Sequence, residues 1–260
     1  MFLTSCQDIL GEWDKPAPVN VTPTTDDDGG GTATGETYRV YTSGTDYTDE
    51  AIPDGATKLT GTIAATVIIE GTYVISGTVT CTGDISLSGD VNLILEDDAD
   101  FTITGTILGL SSKLNVYGQT NGTGKIKVAS TGDVMSVAVK DMEVHGGTVT
   151  TTANGGDNCF ETTGSLTIYK GDISATNTGT SNGMMLTTLK YYGGYVEAMG
   201  GTGGNGISQI SGTGDYIFNY SGVTIPTINY NGTWSNGPYI ANNAGISCTT
   251  RGISFPSSVL

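Results

Sequence analysis

Positive charge is what this chain has least of. Ten Lys and Arg side chains stand against 26 Asp and Glu, giving a formal net charge of −16, and the arginines are just Arg39 and Arg251. Nucleic-acid binding needs clustered Lys and Arg to neutralise phosphates, so that class of partner is excluded. A single histidine, His145, and four cysteines, Cys6, Cys81, Cys159 and Cys248, form no C-x-x-C pair and no His cluster. That spacing argues against a zinc site and implies no cofactor. Cys81 and Cys159 sit in strand-like surroundings and read as small buried hydrophobes. A disulfide among the last three cysteines remains open at this level. No apolar run approaches the ~20 residues of a membrane-spanning helix, so any membrane contact must come through an anchor.

What is abundant is glycine, 40 residues of 260, set in a Thr-, Val-, Ile- and Tyr-rich texture with few helix formers. Such residues suit pleated surfaces. The chain also repeats itself. Opening apolar residues recur at Leu93, Leu114, Met142, Leu166, Leu189 and Tyr216, in steps of 21, 28, 24, 23 and 27. Each opens an alternating strand: Leu114-Asn115-Val116-Tyr117, Met142-Glu143-Val144-His145, Leu166-Thr167-Ile168-Tyr169 and Leu189-Lys190-Tyr191-Tyr192. First and third residues face inward and the others outward, as a period of 2 requires. A corner glycine follows: Gly118, Gly146, Gly171, and Gly193 or Gly194. A second strand places Val149, Ile173 and Val196 inward, and a third lies near 134–137, 159–161, 184–186 and 206–209.

Three short strands per coil predict an all-β right-handed parallel β-helix whose rungs share one elongated core. Asp133, Asn158, Asn182 and Asn205 precede the third strands at matching places and predict a polar ladder along one corner. Residues 74–225 form the rungs, 37–73 an N-terminal cap with the first coils, and 226–260 a C-terminal cap, together one domain spanning 37–260.

Ahead of that domain, residues 15–36 are rich in Pro, Thr, Asp and Gly and read as a tether that buries no core. Leu3, Thr4, Ser5 and Cys6, at its front, resemble a bacterial lipobox, in which the cysteine carries the lipid. This resemblance, in the style of Bacteroidetes-type envelope lipoproteins, implies an outer-membrane-anchored protein lipidated at Cys6. The rungs "VNLILEDDADFTITG", "SKLNVYGQTNGTGKIKVAS" and "GGTVTTT" resemble the β-helix repeats of proteins from gut bacteria described as containing carbohydrate-binding domains. These are broadly akin to the pectin-lyase-like superfold, which hosts lyases, hydrolases, adhesins and passive stalks alike.

Chemistry is harder to assemble. A polysaccharide lyase needs a base beside carboxylates that hold Ca²⁺, and a hydrolase needs two carboxylates across a cleft. Lys170 and Lys190 have only Glu143 near them, and Glu96, Asp97, Asp98 and Asp100 crowd one turn. A solvated acidic turn is the plainer reading of that cluster, with Ca²⁺ binding as the alternative. The fourth positions of the anchor strands, Tyr117, His145, Tyr169 and Tyr192, form an outward column with two readings: a platform for an extended neutral glycan, or aromatic rings stacked for their own sake. Tyr230, Trp234 and Tyr239 make a second candidate patch. Three functional classes stay open: a non-catalytic glycan-binding or adhesive module, a structural or protein-interaction stalk, and a lyase or hydrolase.

Overall fold

Alternating Val-, Ile- and Thr-rich stretches broken by glycine corners leave each rung with an apolar face that it cannot bury alone. Stacking buries it. The computed structural model is a right-handed parallel β-helix with no α-helix among the described residues. Residues 36–209, 216–219, 228–230 and 239–241 are described, all within one compact unit, Gly31–Leu260.

An antiparallel hairpin, β1 (Thr37–Tyr41) and β2 (Tyr47–Ala51), comes first and forms a sheet of its own. The 39-residue β3 (Thr57–Leu95) then coils back on itself, Glu96 N–H donating to Ile75 O at 3.1 Å. One wall of the coil stacks β4 (Asp100–Thr104), β6 (Lys125–Ala129), β8 (Thr148–Ala153), β10 (Asp172–Asn177) and β12 (Tyr195–Met199). The other stacks β5 (Ile107–Gly118), β7 (Val137–Val144), β9 (Phe160–Ile168) and β11 (Met184–Tyr191). Parallel pairing continues past residue 225, into the stretch read from sequence as a cap. There β15 (Ile228–Tyr230) joins β12 and β16 (Tyr239–Ala241) joins β14 (Tyr216–Asn219), which itself joins β11 beside β13 (Ile207–Gln209) within the rungs.

Inward residues line up in columns. Val91, Leu114, Met142, Leu166 and Leu189 make one, and Leu93, Val116, Val144, Ile168 and Tyr191 the next, all buried. Val149, Ile173 and Val196 stack on the facing wall. Fully burying side chains of this size contributes ~1.5–3 kcal/mol each. The register corrects one expected step: Leu114 pairs with Val91, and Leu93 pairs with Val116. A two-residue slip keeps every side chain on its own face, so alternation alone does not reveal it.

The third strand of one coil and the anchor strand of the next are a single element bent at a corner. The ladder shifts register there, between Gly109 and Lys113, Val139 and Met142, and Leu186 and Thr188. A shift leaves backbone N–H groups without ladder partners, and aspartates supply acceptors. Asp90 Oδ1 accepts from Lys113 N (3.0 Å) and Asp141 Oδ1 from Ser165 N (2.8 Å). At other corners Asp84 Oδ1 accepts from Thr106 N (3.0 Å) and Asp133 Oδ1 from Gly156 N (2.7 Å). Part of the acidity therefore belongs to the architecture.

The polar ladder forms over three of its four expected members. Asn182 Nδ2 donates to Asn158 Oδ1 and Asn205 N to Asn182 Oδ1, both at 2.8 Å. Asp133 is bonded at Gly156 instead. The left-handed corner glycines are Gly147, Gly171 and Gly194, with φ of 76°, 89° and 86°, so in the two Gly-Gly pairs the second residue takes the role.

Candidate functional site

Tyr117, His145, Tyr169 and Tyr192 each follow an inward residue of the Val116–Val144–Ile168–Tyr191 column, which turns them outward on successive rungs. Their ring centroids are 4.7, 4.7 and 5.0 Å apart and their planes 18°, 21° and 12° from parallel. The separation is close to the ~4.8 Å rung spacing. Ring faces therefore cover one another, whereas a sugar platform needs a face left free.

The column is also roofed. Ile94, one rung before Tyr117, points outward yet is fully buried in a small second core with Ile52 and Val74, against which Tyr38 and Tyr117 pack. The β1–β2 hairpin supplies most of this cover. Tyr38 meets Tyr117 edge-on at 4.9 Å, and Arg39 Nη1 donates to Thr120 O at 2.7 Å. Tyr41 N–H donates to His145 Nδ1 at 3.0 Å. The hairpin turn reaches Gly193, where a Cβ would lie 2.9 Å from Gly44 Cα. His145 is 4% exposed. Nothing in the strand pattern announces this roof, because residues 37–51 read as an ordinary cap.

Beside the column, Glu143 receives His145 Nε2 at 3.4 Å and Lys113 Nζ at 2.8 Å. The His145 hydrogen bond, then Lys113, hold its carboxyl down at about 2 from an ordinary 4.5. A depressed carboxyl stabilises the fold above its unfolded value and loses that contribution as the proton binds. Glu143 is therefore expected to add pH dependence to stability between about 4.5 and 2. In denaturant titrations Glu143→Gln should flatten stability against pH in that window, and an unchanged slope would count against the assignment. Burial, then Tyr38, pushes the Tyr117 phenol up.

The other candidates are not assembled into a catalytic set. Lys190 lies two rungs from Glu143 in the same outward row, with Thr167 between them, and Lys170 is exposed. In the acidic turn, Asp97 accepts from Asn121 N and Nδ2 and from Gly122 N at 2.9–3.1 Å. Asp100 pairs with Lys127 at 2.6 Å and Glu96 with Lys58 at 2.9 Å, while Asp98 takes a left-handed φ of 64°. A polar depression of about 550 Å³ adjoins this turn, lined in part by Asp98, Asp100, Thr123 and Lys125. Among the described residues no group of three potential ligands is placed to hold a metal ion.

Cys81 and Cys159 are free and buried, and desolvation pushes both thiols up. Tyr230 pairs with Ala198 on one wall and Tyr239 with Ile217 on the other. Trp234, Cys6, Cys248, Arg251 and residues 15–35 of the tether lie outside the described residues. Comparison with protein-family models, with curated proteins and with solved structures finds no match to this chain.

Proposed function

We propose that this is a non-catalytic cell-envelope lipoprotein whose β-helix serves as a structural and interaction stalk. One observation carries the reading: the aromatic column turns its ring faces onto each other and carries a hairpin along its outside. That arrangement stiffens a wall and fixes a second element to it. Rung stacking gives length and stiffness with little sequence complexity, which suits a display role. Lipidation at Cys6, followed by the polar tether, would hold the stalk at the outer membrane.

A glycan-binding module is the second reading. It is favoured by Tyr169 and Tyr192, which are only partly buried. At a net charge of −16 its ligand would be a neutral polysaccharide. Glycan arrays and affinity gels separate the two readings: the parent and a Tyr169→Ala, Tyr192→Ala double variant are expected to behave alike. Retention of an extended neutral glycan by the parent alone would transfer the function to that surface. Release of unsaturated or reducing sugar from polysaccharides would restore the enzyme class. The anchor is tested by palmitate labelling of the precursor, which Cys6→Ser should abolish together with detergent partitioning.

A further inference from the structure

We infer that the β1–β2 hairpin is an acid-released latch on the aromatic column, held at its tip by Nδ1 of His145. A backbone N–H can only donate, so the Tyr41 N–H at 3.0 Å requires Nδ1 to be unprotonated. The other ring nitrogen, Nε2, lies 3.4 Å from a Glu143 carboxylate oxygen, which can only accept. The neutral ring with its proton on Nε2 satisfies both partners. A second proton can go only to Nδ1, where it would oppose the Tyr41 N–H as donor against donor, in a position 4% exposed. The same proton strengthens the ring's attraction to Glu143. Protonation thus exchanges the hairpin for the carboxylate.

The surroundings leave His145 in charge of this step. On its own strand it faces Glu143, which stays ionised far below neutrality. From the preceding rung come Tyr117 and Lys113, the latter bound to Glu143, and from the following rung Tyr169 beside the exposed Lys170. The hairpin contributes Tyr38, Tyr41 and Arg39, whose guanidinium is paired with Asp49 at 3.2 Å. Burial pushes the Tyr38, Tyr117 and Tyr169 phenols up, away from the acid range. Imidazole is the ordinary side chain that changes charge between about pH 5 and 8, and this chain has one. The hairpin base, packed through Ile52 and Tyr38 against Val74, Ile94 and Tyr117, makes apolar contacts indifferent to protons. Release is therefore confined to the tip, and it uncovers the His145–Tyr192 end of the column.

The test is amide hydrogen exchange at Tyr41 by NMR from pH 8 to 5, corrected for intrinsic exchange, with the His145 ring resonances followed in the same samples. Protection at Tyr41 is expected to fall about tenfold or more, as loss of a part-buried hydrogen bond implies, with a midpoint matching the ring titration. His145→Asn keeps an acceptor oxygen near the Nδ1 position but does not titrate, so its Tyr41 protection should stay flat. The latch is overturned if parental protection stays constant while the ring titrates, if the ring stays neutral through pH 5, or if His145→Asn loses protection in parallel. Should that variant fail to fold, coincidence of the two parental curves decides alone. No binding partner enters the measurement, so its outcome is independent of the stalk and glycan readings.

Discussion

Ile168→Asp is expected to leave the protein unfolded, with parallel-strand circular dichroism and the cooperative transition both lost. Ile168 is fully buried in the inward column, between Val144 on one rung and Tyr191 on the next. A carboxylate there would enter the continuous apolar core, and an unpaired buried charge costs several kcal/mol even after relaxation. Lost transfer energy and a partial cavity add to this. Against a typical stability of about 5–15 kcal/mol, and in a solenoid where each rung is held by its neighbours, one such rung interrupts the whole stack. Thr167→Asp is the control. From sequence, Thr167 is an outward residue that should accept a charge freely. The structure keeps it outward but only 3% exposed, flanked by Glu143 and Lys190 on adjacent rungs. Glu143 repels the new charge and Lys190 attracts it, so a loss of about 1–2 kcal/mol is expected chiefly from crowding and partial desolvation, without loss of the fold. Similar midpoints for the two variants would reverse the inward and outward assignment.

Thr167 shows what a sequence of this kind does and does not disclose. Period-2 alternation tells direction, and the inward sets Leu166, Ile168, Val149, Ile173 and Val196 could be read from it. Direction is not exposure, however. Whether an outward residue meets water depends on what lies over the wall, and the roof here comes from residues 37–51, about a hundred positions away from His145. No local pattern ties Tyr41 to His145. The stacking of Tyr117, His145, Tyr169 and Tyr192 was legible because it follows from equal positions on successive rungs. The orientation of the rings, which decides whether a ligand finds a face or an edge, was not. Where sequence placed Leu93 opposite Leu114, it failed for a narrower reason: a slip of two residues changes neither pattern nor face.

The acidic residues carry a related lesson. By composition alone they suggest solubility or a cation site. In place, Asp84, Asp90, Asp97, Asp133 and Asp141 each accept a backbone N–H from the next rung, at a turn or corner where the ladder is interrupted. An acidic, glycine-rich coil is what results when turns are capped by Asp and allowed by Gly. Part of the net charge therefore follows from the construction of the wall, although it still sets the potential that a charged ligand would meet.

Glycine makes the complementary contribution, and its two possible reasons can be separated by experiment. Gly171 and Gly132 have nearly the same left-handed backbone, φ of 89° and 87°. A Cβ on Gly132 would meet nothing within 4 Å, whereas on Gly171 it would lie 2.5 Å from Gly147 O and 2.9 Å from Gly146 C on the rung before. Gly132→Ala therefore carries only the left-handed penalty, about 1–2 kcal/mol. Gly171→Ala carries that penalty together with a backbone clash that no side-chain rotation relieves. Forcing the rungs apart there also strains the neighbouring bond from Asp172 N to Gly147 O, 2.9 Å long. Its loss of stability is expected to reach about 3 kcal/mol or more, since overpacking alone adds roughly 1–3. Chemical denaturation of the two variants side by side measures the difference. Equal losses would mean that the corner needs glycine for its backbone angle alone, and that the rungs are free to separate at that corner by the width of a methyl group.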